Sequence, residues 1–235
     1  MKHRNIHNII VAAGSGTRFG SGCPKQFQPL AGRPVLMHTI DRMRQALPGS
    51  SILLVLGEPH LKLWHMLCDK FGFCSPTIIA GGSTRWQSVK NAIDTIKLPP
   101  EEEGIITVHD GARPLIDSAL VARIIDGLQL ASGSIPATPV TDSLRILEND
   151  GSSHPIDRSI IRAVQTPQAF DARKLIKAYS LPYKDSFTDD ASVMAAAGYT
   201  DIALVDGSLS NIKITMPADI DIAAIYMAHE TSTLA

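Results

Sequence analysis

"VAAGSGTRFG", residues 11–20, follows directly on a short apolar run and opens into Gly14, Gly16 and Gly20. Such a passage reads as a strand feeding a phosphate-holding turn. The spacing decides which kind of turn. A dinucleotide fingerprint wants G-x-G-x-x-G and an acid about 20 residues further on. Here the third glycine falls one position late, and position 34 is a proline with no acid beside it. A Walker loop would continue into G-K-[ST], and this chain does not. The loop carries cations instead: Arg18 inside the turn and Lys25 in "CPKQF". Backbone N–H groups of a glycine turn surround phosphate oxygens, and two cations would neutralise charge where a phosphoryl bond breaks. The glycines alone serve equally well as a tight turn with both cations in solvent. Arg18, Pro24 and Lys25 together favour the phosphate reading.

Outward from this turn, apolar runs alternate with helical patterns. Strands are expected at 6–12, 52–56, 77–80, 105–109 and 134–138, without strict alternation, as for strands covered on both faces. Helices are expected at 35–47, at 58–70 with Leu61, Trp64, His65 and Cys68 on one face, at 84–96, and at 118–130 behind an Asp117 or Ser118 cap. The rhythm breaks at 140–165, where two extended stretches flank "NDGSSHP" and read as a hairpin-like excursion. Helices at 171–179 and 189–197, strands at 202–205 and 211–215, and a helix at 217–228 complete the pattern. The alternation argues for an α/β fold on a mainly parallel sheet, organised as one domain with an arm at about 140–168.

Composition narrows the function. The chain has 235 residues, 44% of them hydrophobic and 19% charged, with a formal net charge of −1. A core is affordable, and no broad basic field invites nucleic acid or a membrane surface. Anionic ligands must therefore be held by a few placed cations. Cys23, Cys68 and Cys74 are odd in number and lack CxxC spacing, which argues against a disulfide framework or zinc site and for a reducing, cytoplasmic setting. The eight histidines are scattered, His109 reading as a packed strand residue. The apolar run at 9–13 is too short for a secretory segment, and no run approaches the ~18 residues of a membrane span.

Two further stretches carry chemistry. "VHDGARP", 108–114, ends an expected strand, where ligands gather in open α/β sheets. Asp110 is placed to hold a divalent cation or a substrate hydroxyl, and Arg113 to meet a phosphate; a mutual Asp–Arg pair closing the turn accounts for both equally simply. "GGSTRWQSV", 81–89, sits at a strand-to-helix junction, where Gly81 and Gly82 let the backbone approach a ligand and Ser88 lies one turn into the helix. An ordinary helix start fits the same residues.

"AAGSGTRFGSGCPKQF" resembles the signature of sugar-phosphate nucleotidyltransferases. With "GGSTRWQSV", "VHDGARP", "PVTDSLR" at 139–145, "QTPQAF" at 165–170, "FTDDASV" at 187–193 and "NIKIT" at 211–215, most of the chain resembles the 2-C-methyl-D-erythritol 4-phosphate cytidylyltransferases. The resemblance implies a three-layer Rossmann-like nucleotidyltransferase fold, α/β with a mainly parallel twisted sheet and a projecting β-arm for dimerisation. It implies CTP and a small polyol phosphate as substrates, Mg2+ as cofactor and a homodimer. It assigns Arg18, Lys25 and Lys213 to catalysis. Ala12, Ala13, Gly14, Gly16, Gly82, Ser83, Arg85 and Ser88 would bind the nucleotide. Asp110, Arg113, Ser143, Arg158 and Thr166 would bind the second substrate, Ser143 and Arg158 reaching across from the partner, with Asp110 the candidate metal ligand. A common family form has an acid where this chain has Ser83, and Thr at Ser143. Some relatives are fused to a second enzyme; this chain is expected to carry no fused activity. Rival readings are a cytidylyltransferase for another polyol phosphate such as ribitol 5-phosphate, a non-catalytic nucleotide-binding module and, more weakly, an NAD oxidoreductase.

Overall fold

The computed structural model describes residues 5–14 and 23–233. In chain order, β1 (Asn5–Ala12) leads to a short ribbon of β2 (Pro29–Leu30) and β3 (Arg33–Pro34), then α1 (Val35–Ala46), β4 (Ser51–Leu56), α2 (Leu61–Phe71), β5 (Thr77–Ala80) and α3 (Arg85–Ile93). There follow β6 (Gly104–Asp110), α4 (Ser118–Gly127), β7 (Gly133–Pro139), β8 (Leu144–Leu147), β9 (Ser153–Ile156), β10 (Arg162–Val164) and β11 (Gln168–Asp171). The chain closes with α5 (Ala172–Ala178), α6 (Asp190–Ala196), β12 (Ile202–Asp206) and α7 (Ala218–Thr233).

An eight-stranded sheet runs β10-β7-β11-β6-β1-β4-β5, with β12 on β7. The pairs β1–β4, β1–β6, β4–β5 and β7–β12 are parallel. β11 is antiparallel between β6 and β7, and β10 is antiparallel on β7. The sheet is mixed but mostly parallel, as expected for an α/β protein. Successive strand residues face opposite sides, and both sides are covered. Ile10, Leu54 and Leu56 pack with α1, α2 and α4; Ile9, Val55, Ile106 and Val108 pack with α3, α5 and α6. Each fully buried Ile or Leu contributes roughly 1.5–3 kcal/mol. This two-sided burial is why the strands read as continuous apolar runs. Among the described residues no helix is long and apolar enough to cross a membrane.

Register levels the carboxyl ends of the strands. Ala12 pairs with Leu56, Leu56 with Ala80, and Val11 with Asp110. The carboxyl ends of β1, β5 and β6 therefore lie on one edge. β11 enters at that edge, Gln168 opposite Val108, so Gln165 to Pro167 lie beside the end of β6. β12 ends there as well, Asp206 opposite Ala137, and hands on to the segment that carries Lys213.

Several expectations are corrected. Residues 211–215 form no strand: the Ile214 N–H donates to the Ala112 carbonyl, and the buried Asn211 side chain donates to the Thr166 carbonyl, so the segment is tied to loops rather than to a strand. His65 faces solvent, because Trp64 and Cys68, one turn apart, carry the buried stripe of α2. The helices expected at 84–96 and 118–130 are shorter. Thr84 is the cap of α3, accepting from the Gln87 N–H, and Leu130 is 97% exposed beyond α4. Asp117 caps α4 as expected, accepting from the Leu120 N–H. The turn at "NDGSSHP" joins β8 to β9 in an antiparallel hairpin.

Candidate functional site

At the carboxyl edge lies a cavity of about 550 Å³ lined by both sequence motifs, with Ala12, Ala13, Gly14 and Lys25 on one side and Gly82 to Arg85 and Ser88 on the other. Asp110 and Lys213 close it. A second cavity of about 320 Å³ is lined by Arg85, Asp110, Arg113, Gln165, Thr166, Gln168, Thr188, Asp189 and Lys213 among others. The two share one wall, Arg85, Asp110 and Lys213.

Local packing presents each group. Lys25 opens a single 3-10 turn, Lys25–Phe27. Phe27 is buried against the His60 and Trp64 rings. The buried Gln26 donates from Nε2 to the Ala12 and Gly14 carbonyls at 2.9 and 3.1 Å, tying the lysine turn to the end of β1. Gln26 stands in the quoted "CPKQF", yet nothing in the sequence marked it as the tie between the lysine turn and the end of β1. Gly16 and Arg18 lie outside the described residues. Gly81 and Gly82 leave no room for a side chain: a Cβ at Gly81 would stand 2.4 Å from the Ala13 Cβ, and one at Gly82 2.2 Å from Gln87 Cγ. At Gly81 this bareness lets the end of β5 close on the end of β1, and at Gly82 it makes room for the first turn of α3. Ser88 Oγ accepts from the Gly82 N–H at 3.0 Å, which leaves its own hydrogen to donate.

Asp110 is the electrostatic centre. Its Oδ2 lies 2.7 Å from Lys213 Nζ and 3.7 Å from Arg113 Nε, and its Oδ1 lies 3.8 Å from Arg85 Nε. Burial alone would raise its pKa; Lys213, Arg85 and Arg113 together outweigh this and hold the carboxyl far below the usual carboxylate range. The Asp–Arg pairing expected as the simple account of "VHDGARP" is therefore present, and Arg113 also donates to the Asn211 carbonyl at 2.7 Å. Arg85 is anchored away from its own helix by Asp190, Nη2 to Oδ2 2.7 Å. Burial lowers its pKa, but Asp190 and Asp110 more than reverse this and hold it well above the usual arginine value.

His109 is fully buried, and burial pushes its pKa down to about 4. It is neutral at pH 7, and its hydrogen bonds define the tautomer. Nε2 faces the Arg113 carbonyl at 3.1 Å and must donate, so Nδ1 accepts from the Thr166 hydroxyl at 3.0 Å. Thr166 Oγ1 in turn accepts from the Asp110 N–H at 3.0 Å. Thr166 lines the second cavity, but its only hydroxyl hydrogen is committed to His109 and is withheld from a phosphate. Thr166 thus braces Asp110. Ser143 and Arg158 are exposed on the hairpin side and line neither cavity; Arg158 donates to the Thr141 carbonyl. Asp190, Asn211 and Gln168 were quoted in motifs without a role, because only the tertiary contacts give them one.

Two cavities with a common wall, and cations converging on one carboxylate, define an α/β protein with a site for anionic ligands. Comparison with known proteins gives the particular family. The family model for 2-C-methyl-D-erythritol 4-phosphate cytidylyltransferase (IspD) matches residues 6–229. The chain is 40% identical over 220 residues to the 2-C-methyl-D-erythritol 4-phosphate cytidylyltransferase of Porphyromonas gingivalis, covering 93% of this chain and 96% of that one. It is 40% identical over 224 residues to the enzyme of that name from Phocaeicola vulgatus, covering 95% and 100%. The crystal structure of 4-diphosphocytidyl-2C-methyl-D-erythritol synthase from Anaerococcus prevotii superposes with TM-score 0.77 at 28% identity, covering 96% of this chain and 99% of that one. The chain belongs to the 2-C-methyl-D-erythritol 4-phosphate cytidylyltransferase family.

Proposed function

We infer that the protein transfers the cytidylyl group of CTP to 2-C-methyl-D-erythritol 4-phosphate in isoprenoid precursor synthesis. A phosphate oxygen of the acceptor attacks the α-phosphorus, the bond to the bridging oxygen breaks, and that oxygen leaves with pyrophosphate. The product is 4-diphosphocytidyl-2-C-methyl-D-erythritol. The observation that carries the reading at this site is the shared wall: two cavities, each of substrate size, meet at Arg85, Asp110 and Lys213. CTP would occupy the first, beside Gly14 and Lys25, and the polyol phosphate the second, beside Arg113.

The attacking phosphate is already anionic, so no protein nucleophile is required. Among the described lining residues of the first cavity there is no His or Cys, and the hydroxyls of Thr84 and Ser88 already accept backbone N–H groups. Catalysis is then positioning and charge stabilisation. Lys25 and Lys213, with Arg18, stabilise the charge gathered at phosphorus. Asp110, held ionised, accepts from the polyol hydroxyls or faces a metal. Ser88 donates to the base, beside the backbone of Ala12, Ala13, Gly82 and Ser83.

Among the described residues no cluster of three or more His, Cys, Asp or Glu is gathered for a metal. One carboxylate whose Oδ1 has, among the described residues, only Arg85 at 3.8 Å suits an ion that keeps phosphate oxygens and water in its shell, as Mg2+ does. Asp110 would hold it, and bound Mg2+ would neutralise triphosphate charge. A homodimer joined through the hairpin is part of this reading, supported by Leu147 and Ile160, which are 75% and 73% exposed, and by Ser143 and Arg158, which line neither of the two cavities. Reaching a partner's second cavity, they would complete its phosphate site. Pyrophosphate release from CTP, measured with 2-C-methyl-D-erythritol 4-phosphate and with ribitol 5-phosphate, each with and without Mg2+, tests this reading. Preference for ribitol 5-phosphate, or CTP binding without turnover, would overturn it.

A further inference from the structure

The motif "FTDDASV" contributes nothing to either proposed substrate site beyond Thr188 and Asp189 at the rim of the second cavity. Asp190, its second acid, has no exposed surface. It sits at the start of α6, whose capping box is made by Asp189 and Ser192, so Asp190 is not needed to cap the helix. A buried carboxylate is costly unless it is paired and hydrogen-bonded, and both of its oxygens are engaged. Oδ1 accepts from the Tyr179 hydroxyl at 2.5 Å and Oδ2 from Arg85 Nη2 at 2.7 Å. Tyr179 is itself buried and stacked on Trp86, the residue next to Arg85. The brace is built from three elements: the end of α5, the start of α6 and the start of α3.

What the brace holds is the guanidinium in the wall common to both cavities. Without Asp190, Arg85 would lie at the mouth of α3 with only Asp110, 3.8 Å away, to direct it. With Asp190 its planar fork has one seat, and its remaining N–H groups face the junction where the two phosphate-bearing substrates would meet. We propose that Arg85 is a charge-stabilising residue of the transfer step and that Asp190 is its positioning residue, acting on the reaction only through that guanidinium. The proposal rests on the cytidylyl-transfer reading above.

The test uses the full chain, CTP and 2-C-methyl-D-erythritol 4-phosphate. Arg85→Ala lowers kcat about 10²-fold, the usual effect of losing one preorganised charge donor. Added guanidinium chloride, kept below denaturing levels and corrected for its effect on the parent, restores about tenfold of that loss by filling the seat beside Asp190. The double variant Arg85→Ala, Asp190→Asn leaves no unpaired buried charge and so retains its fold. It is equally slow, and guanidinium does not restore it. Asp190→Asn alone supplies an independent arm: kcat falls about tenfold or more while KM for CTP moves less than about threefold, the signature of a transition-state interaction. Equal rescue of the single and double variants, no rescue of a folded Arg85→Ala, or parental kcat in Asp190→Asn overturns the proposal. Failure of the reading beneath it shows separately, as a parent protein that releases no pyrophosphate.

Discussion

Acidification from pH 7 to pH 5 tests the buried His109–Thr166–Asp110 brace, using His109→Gln as the reference protein. The unfolded chain takes up a proton on this histidine near its ordinary value of 6.5, whereas the folded chain does not until about 4. Between those values the unfolded state binds more protons, so stability is fully present above about 6.5 and is lost as pH falls toward 4. At pH 5 the solution is 1.5 units below the unfolded value and still above the folded one. At about 1.36 kcal/mol per unit, His109 alone removes about 2 kcal/mol of folding stability. Glutamine offers one donor and one acceptor for the Arg113 carbonyl and the Thr166 hydroxyl but does not titrate. His7 and His38 are also pushed below the ordinary histidine value by burial, and they contribute equally to both proteins. Urea unfolding at pH 7 and pH 5 should therefore show the parent losing about 2 kcal/mol more than His109→Gln over this interval. Parallel losses, agreeing within about 0.5 kcal/mol, would refute the buried neutral imidazole and the hydrogen-bond directions derived from it.

Other expectations are checked by kinetics and unfolding. Lys25→Ala should lower kcat by about 10²-fold or more, as for loss of one oxyanion donor, and unchanged turnover in a folded variant removes it from the reaction. Gly81→Ala drives a methyl to within 2.4 Å of the Ala13 Cβ. Overpacking of that kind costs about 1–3 kcal/mol in urea unfolding, with a raised KM for CTP, and an unshifted midpoint would mean the turn relaxes freely. Arg158→Ala should chiefly raise KM for the polyol phosphate. Mixed with Arg18→Ala, it should recover activity in heterodimers if a site is completed by the partner's hairpin; no recovery in verified heterodimers denies the shared site.

The order of elements was legible because local patterns carried it. "ILLVL" and "IITVH" are buried on both faces, and their unbroken apolar character announces strands of a covered sheet. The edge bearing the site followed, since ligands meet such sheets where glycine-rich turns leave strand ends. β11 was not legible. It is four residues long, and its place between β6 and β7 depends on pairing with strands distant in sequence. Asn211 to Thr215 misled for the same reason: it has the composition of a strand, but its N–H groups and the Asn211 amide bond to loops.

By itself the sequence determined the alternating α/β plan and singled out Lys25 beside the glycines and Asp110 at a strand end, because residue type and local spacing suffice for these; Lys213 came only through the resemblance carried by "NIKIT". Only the tertiary structure decided that Gly81 spares Ala13, that Thr166 braces Asp110 through His109, and that Asp190 seats Arg85 in the wall between two cavities. Those roles depend on distances between groups far apart along the chain. Burial and strand register set such distances, and local periodicity does not encode them.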